Sequence, residues 1–517
     1  MILIYPPVAK PCEPPAGLAK IVGTLNHHDV KCRVVDANLE GILSLLNSSQ
    51  ASPDTWTKRA NRNLKTNLVS LKHRETYQNP DRYKRAVADV NRVLAMSTRS
   101  SGVYISLANY QDQKLSPVRS ADLIRASEMP EENPFYPYFK KRLLALLEEE
   151  QPAIVGFSLN YLSQALCTFA MIGFLKQVCP RIRFVLGGGL VTSWMRKPGW
   201  QNPFSGLVND LVAGPGEDPL LSILGKTPSD NYDTPDYDVF TKDDYMAPGF
   251  ILPYSASSGC YWNRCSFCPE RAEENPYCSI PSKQVVRDLH SLMGRKKPAL
   301  IHFLDNAISP ALLTKLVNNP PGVPWYGFVR ISRHLTDLDF CRALKQSGCT
   351  MLKLGLESGD QGILDKLQKG INLEEASATL KNLKDAGIAT YVYLLFGTPS
   401  ESLTEARRTL EFTVQHCDEI DFLNLAVFNL PAYGPDTEKL ETTDFYEGDL
   451  SLYRQFSHPK GWDRNLVRQF MDRKFKRHPA VASIVRKNPP IFTSNHAPFF
   501  VTDRTPISIT HIEKARL

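Results

Sequence analysis

Apolar and polar positions follow two successive series along the chain. Residues 1–5 (MILIY) are a continuous apolar run, and residues 14–27 (PPAGLAKIVGTLNH) open on prolines and carry an apolar stripe at helical spacing. Residues 31–36 (KCRVVD) read as a second strand, after which residues 42–133 are rich in Arg, Asn and Ser and read as helices inserted into the domain. The alternation resumes with a helix at 139–150 (FKKRLLALLEEE), a strand at 153–159 (AIVGFSL), a helix at 164–178, a strand from 183 and a fifth strand at 207–213 (LVNDLVA). Apolar strands alternating with helices predict a parallel sheet covered on both faces. Ligands of such sheets gather at the carboxyl ends of the strands. Ser158, Gly187-Gly188-Gly189 and Gly214-Pro215-Gly216-Glu217 fall at those ends.

Residues 226–250 are rich in Pro, Asp and Tyr, lack periodicity and read as a linker. A second β/α series follows, with strands predicted at 252–255, 299–304, 325–329, 350–356, 389–396 and 422–428. Six such units predict an incomplete barrel whose working end is again the carboxyl end of its strands. The expected fold class is therefore α/β throughout: a Rossmann-like domain at 1–225 with its insertion at 42–133, a linker at 226–250, a partial (β/α)6 barrel at 251–450 and a mainly helical extension at 451–517.

Composition narrows the class. The chain has 517 residues, 42% apolar and 22% charged, as expected of a soluble globular protein. No apolar run approaches the roughly 18 residues a membrane span needs. The start meets prolines at once and reads as a buried strand rather than a leader, so a cytoplasmic setting with reduced thiols is expected. The net charge of +7 is concentrated in residues 51–100 and 453–487. Solvated helix faces and a cover over an anionic cofactor account for these basic segments better than nucleic acid or another acidic partner does, and no aromatic-basic signature of RNA binding accompanies them.

Of eleven cysteines, only those in SSGCYWNRCSFCPE (257–270) have ligand-like spacing. Cys260, Cys265 and Cys268 are one thiol short of a closed four-ligand site. Cys278 could complete a zinc site; alternatively, three thiolates hold an iron–sulfur cluster with one iron open to a non-protein ligand.

With these residues in place the sequence resembles the radical SAM superfamily from about 254 to 431. That family's CxxxCxxC loop, with an aromatic before the last Cys, corresponds to Cys260-YWNR-Cys265-SF-Cys268, longer here by one residue between the first two cysteines. The resemblance implies a [4Fe–4S] cluster on the three cysteines. It also implies S-adenosylmethionine contacts from Asp305 and Asn306 after the second strand, Arg330 after the third, Glu357 and Ser358 in GLESG after the fourth, and Gly397 in GTPSE after the fifth. Taken singly, each match is weak and an ordinary turn, cap or salt bridge is its bland reading; several in order at successive strand ends are a strong signal.

The first domain resembles the cobalamin-binding domain found ahead of many radical SAM barrels. Ser158, Gly187, Gly188, Gly189, Gly214, Gly216 and Glu217 are the residues this implies for the corrinoid. The segment DANLEG (36–41) has the outline of the DxHxxG motif, but Asn38 stands where that motif has its cobalt-ligating histidine. No histidine ligand is therefore expected, and the His27-His28 pair reads as a helix end.

The resemblance implies C-methylation at an unactivated carbon through a 5′-deoxyadenosyl radical and methylcobalamin. A small-molecule or peptide substrate and a one-electron reductant such as flavodoxin or ferredoxin would be the partners. A non-methylating radical reaction, such as ring rearrangement or cyclisation, is the nearest alternative. A zinc- or cluster-stabilised nucleic-acid-binding protein is the alternative of another class. No catalytic side chain is singled out.

Overall fold

The computed structural model describes residues 1–48, 54–228, 232–241, 243–434 and 436–501. Short apolar segments near the start pair in parallel. Strands β1 (Ile2–Ile4), β2 (Arg33–Val35), β3 (Ile154–Ser158), β4 (Arg183–Gly187) and β5 (Asp210–Leu211) form one sheet in the order β2-β1-β3-β4-β5. The order reverses between β1 and β3, and at such a switch point the loops leave a crevice at the carboxyl edge. The fifth strand is two residues long where seven were expected; Asp210 is tied to Arg183 of β4 by paired hydrogen bonds instead.

Residues between β2 and β3 form the predicted helical insertion, together with a hairpin that periodicity did not reveal. Helices Thr55–Ser70 and Pro80–Ser97 pack on each other, and Val103–Ser106 pairs antiparallel with Asn109–Asp112. Helix Ser120–Glu128 crosses helix Leu162–Val178 at Gly173, where a Cβ would lie 1.8 Å from the Ser127 carbonyl. Only glycine permits that approach.

The second sheet has six parallel strands: β6 (Ile251–Tyr254), β7 (Leu300–Phe303), β8 (Trp325–Val329), β9 (Cys349–Glu357), β10 (Ala389–Phe396) and β11 (Phe422–Val427). They are hydrogen-bonded in sequence order, β6 to β11, and β6 and β11 are the two edges. One face of β9 (Leu352, Leu354, Leu356) packs with the surrounding helices. The opposite face carries Lys353, Gly355 and Glu357 into the interior, as the two-residue period of a strand dictates.

Two segments differ from expectation. The aperiodic stretch read as a linker is, in its described residues, tied to the first domain: Tyr237, Phe240, Tyr245 and Met246 are buried, while residues 229–231 and 242 lie outside the described residues. Within it, Asp236 N donates to Ala19 O at 2.8 Å and the Tyr245 hydroxyl donates to Asp36 at 2.7 Å. Its aromatic residues anchor individually, so no period is needed. The chain after β11 forms a small antiparallel sheet (Leu430–Pro431, Thr442–Asp444, Tyr453–Phe456) before the expected helices. The strand Tyr453–Phe456 lies just past position 450, where the helical extension was expected to start.

Candidate functional site

The cysteine loop leaves β6 and is pinned at both ends. Asp305, two residues past the end of β7, accepts a hydrogen bond from Ala256 N at 3.0 Å and another from the Ser257 hydroxyl. Burial raises its pKa against these bonds. Both carboxylate oxygens thus fasten the start of the loop. Asn306 Nδ2 donates to Gly259 O at 3.3 Å. At the other end, Ser266 N donates to Leu367 O at 3.0 Å, and Cys268 caps the short helix Pro269–Ala272.

Cys265 is buried, while Cys260 and Cys268 are partly exposed. Burial raises the Cys265 thiol, opposed by the nearby cations Lys369 and Arg330. Burial pushes Cys268 up to about 11, opposed by the backbone N–H groups of Glu270 and Arg271. Among the described residues, no three His, Cys, Asp or Glu side chains stand at the spacing that holds a single metal ion. A cluster is gripped at its corners, which are farther apart than ligands around one ion. The donor set fits such a cluster: three thiols on one loop, two cations beside them, and backbone donors aimed at one sulfur. Cys278 lies across the short antiparallel pair from Ser258 and is exposed.

The longer spacing between Cys260 and Cys265 is absorbed by Asn263, which adopts a left-handed φ of 43°. This turns Trp262 toward the barrel, where its indole N–H donates to Gln368 O at 3.0 Å. Its ring lies against the Arg330 guanidinium, whose Cζ is 4.1 Å from the ring centroid. Arg330 donates to Lys369 O and is only 9% exposed. Glu357 has a φ of 70° at a register break between β9 and β10 and pairs with Lys369 at 2.8 Å. Arg330, Lys369 and Glu357 thus meet beside the cysteines. Ser358 faces inward instead, bonded to the Thr409 hydroxyl and to Asp360 N. Gly397 donates its N–H to Glu401, which also accepts from the Trp462 indole. Burial pushes the Glu401 carboxyl up to about 7.

The glycine-rich ends of the first sheet form a separate wall. Ser158, Gly187, Gly188, Gly189, Gly214, Gly216 and Glu217 all line one cavity of about 990 Å³. Its far side includes Ser257, Ser258, Gly259, Asn306 and Tyr433. A Cβ at Gly214 would meet no protein atom within 4 Å, and one at Gly189 would come no nearer than 3.8 Å to any. These glycines therefore keep space open for a bulky ligand, and the cavity fits a corrinoid. Asn38 does not line it: its side chain accepts from Ala9 N at 2.7 Å and braces the loop after β1. His28 does reach the cavity wall while its Nδ1 sits 3.0 Å from Thr24 O as a helix cap. Lys20, which pairs with Glu217, is a cavity residue that no sequence motif signalled.

Sequence reasoning also missed a buried polar chain in the barrel interior. His302 of β7 contacts Glu13 at 3.0 Å through Nδ1, and Lys353 of β9 at 3.0 Å through Nε2. Asn495 donates to the same Glu13 carboxylate at 3.0 Å. Burial lowers the Lys353 amine to about 7, opposed by Glu13. The chain joins the first domain, the barrel and the C-terminal tail.

These features define the class. Residues 254–413 match the Radical SAM superfamily. Among characterised relatives, bacteriochlorophyllide d C-12(1)-methyltransferase of Chlorobaculum tepidum is 28% identical over 199 residues, 37% of this chain and 42% of that protein. The anaerobic magnesium-protoporphyrin IX monomethyl ester cyclase of Rubrivivax gelatinosus is 23% identical over 301 residues, 53% of this chain and 52% of that protein. The matched regions thus span about half the length of these relatives or less. The radical S-adenosylmethionine methyltransferase TsrM of Kitasatospora setae, solved with tryptophan and a SAM analogue, superposes with a TM-score of 0.57 at 15% identity. That superposition covers 94% of this chain and 90% of TsrM. A second TsrM structure, with cobalamin and a [4Fe-4S] cluster bound, gives a TM-score of 0.52 at 15% identity, covering 85% of this chain and 77% of that one. The likeness is one of fold, and it extends across both sheets. Among the described residues, no helix is long and apolar enough to cross a membrane.

Proposed function

We propose that this protein is a cobalamin-dependent radical SAM enzyme that transfers a methyl group to an unactivated carbon of a small-molecule or peptide substrate. The observation that carries this reading is the shared cavity: its near wall is the glycine-rich edge of the first sheet, and its far wall is the base of the cysteine loop. A corrinoid on the near wall would adjoin the loop that holds a cluster. The named activities of the methyltransferase relative and of TsrM, and the cobalamin and [4Fe-4S] cluster bound in TsrM, support the same choice.

The cofactors supply the radical and the methyl group when bound; the chain supplies binding, orientation and exclusion of water. Cys260, Cys265 and Cys268 would hold the cluster. Arg330 would receive a carboxylate, Glu357 would lie beside it, and Asp305 and Asn306 fix the loop's entry. The glycines of the first sheet would let backbone approach the corrinoid. A one-electron reductant such as flavodoxin or ferredoxin would serve the cluster.

The cyclase relative favours a second reading, in which the radical step is kept and no methyl is transferred. Anaerobic purification followed by iron, sulfide and corrinoid assays tests the cofactor assignment. The lead reading expects about four irons and one corrinoid per chain; a colourless protein holding one zinc overturns it.

A further inference from the structure

Arg330 is a buried cation with no carboxylate partner among the described residues. Among those residues its side chain forms no ion pair, and its guanidinium makes one hydrogen bond, to Lys369 O. An isolated charge in such a place costs free energy unless something compensates it. The neighbouring cation Lys369 has its own partner in Glu357, so the compensation missing from this corner belongs to Arg330. Its Cζ stands 4.1 Å from the ring centroid of Trp262, between Cys260 and Cys265, so the group lies against the cysteine loop.

The second observation is how tightly Trp262 is fixed over it. The indole N–H is bonded to Gln368 O, and Arg264 also lies 5.0 Å from the ring. Gly370, with φ 64°, makes the room: a Cβ there would stand 2.3 Å from the Trp262 ring. Arg271 ties the same elements together by donating to Gln368 Oε1 at 2.8 Å and to the Arg264 carbonyl. An indole face against a guanidinium holds the cation in one plane while leaving its N–H edges free. A planar guanidinium with free edges is suited to bidentate recognition of a carboxylate.

We infer that Trp262, carried in by the longer cysteine spacing, is a positioning residue. It holds Arg330 as the anchor for the α-carboxylate of the amino-acid portion of S-adenosylmethionine at the cluster. The inference rests on the cluster assignment proposed above and adds a role that the length of this loop makes possible.

The test uses the full chain, reconstituted anaerobically, as wild type and as Trp262→Ala, Trp262→Leu and Trp262→Phe. Iron and sulfide content and the electron paramagnetic resonance spectrum of the reduced cluster are recorded first. Each protein is then titrated with S-adenosylmethionine and with its decarboxylated analogue, using the ligand-induced spectral change to obtain Kd. Loss of the indole face is expected to weaken S-adenosylmethionine binding about three- to thirty-fold in the Ala and Leu variants. Binding of the decarboxylated analogue should stay unchanged, and Phe should restore most of the difference. Leu fills space without a π face, so it decides the matter should Ala fail to take up iron. Iron-loaded Leu protein that binds S-adenosylmethionine like wild type, or that weakens both ligands equally, overturns the clamp alone. Wild-type protein that takes up no cluster overturns the assignment beneath it.

Discussion

Replacing Lys353 by methionine removes an amine from the barrel interior and keeps much of its volume. The side chain is 4% exposed, lies 4.5 Å over the Phe328 ring, and has His302 Nε2 as its hydrogen-bond partner at 3.0 Å. Burial brings its pKa down from the ordinary lysine range to about 7, so the folded protein gives up this proton some three pH units before the unfolded chain does. Between pH 7 and pH 10 the unfolded state binds more protons, and linkage makes stability rise with pH through that window. At roughly 1.4 kcal/mol per pH unit, the contribution amounts to about 2 kcal/mol between pH 7 and pH 9. Other groups titrate over the same range, so the quantity to measure is a difference between two proteins. Urea unfolding of wild type and Lys353→Met, followed by fluorescence at pH 7 and pH 9, supplies it. Wild type should gain about 2 kcal/mol relative to the variant on going to pH 9. A difference that stays constant with pH would refute the reasoning, because Lys353 would then titrate as an exposed lysine does.

Three further outcomes are expected. Glu401→Gln should be more stable than wild type at pH 8 by roughly 1–3 kcal/mol, and the advantage should vanish near pH 5 in the same unfolding assay. The buried carboxyl, raised to about 7, stabilises the fold only while protonated, and that contribution is lost as pH rises through 7. Gly189→Leu should place a side chain in the 990 Å³ cavity and lower corrinoid content per chain at least tenfold, with iron content unchanged; equal corrinoid uptake would mean the ligand binds elsewhere. Asp305→Ala leaves the buried Ala256 N–H and the Ser257 hydroxyl without their acceptor, a loss of about 1–3 kcal/mol that should appear as reduced thermal stability and weaker cluster retention.

The parts legible in the sequence were those written in local pattern. Each barrel strand is an apolar run bounded by turn residues, and the glycine-bearing segments at the ends of β3, β4 and β5 line one cavity. The three cysteines were legible because nine consecutive residues carry them. What escaped notice depends on distant segments meeting. Trp262 and Gly370 are complementary only once the loop after Gln361–Lys366 folds back on the cysteine loop, and nothing in either segment signals the other. Glu13, His302 and Lys353 come from three separate elements, and each looks alone like a surface charge. Asp305 and Ser358 were found at the right strand ends, yet they hold backbone and helix rather than standing free, a distinction made by hydrogen bonds that no motif encodes. The 226–250 segment reads as a linker in sequence because anchoring by isolated buried rings leaves no period.

The most direct measurement of the proposed reaction is product analysis after anaerobic incubation of the reconstituted protein with S-adenosylmethionine as the sole methyl source, hydroxocobalamin, a low-potential reductant and candidate substrate extracts. Formation of both 5′-deoxyadenosine and S-adenosylhomocysteine, each abolished in Cys265→Ala, is the predicted result. 5′-Deoxyadenosine without S-adenosylhomocysteine would contradict methyl transfer, and 5′-deoxyadenosine persisting in Cys265→Ala would contradict the cluster on this loop.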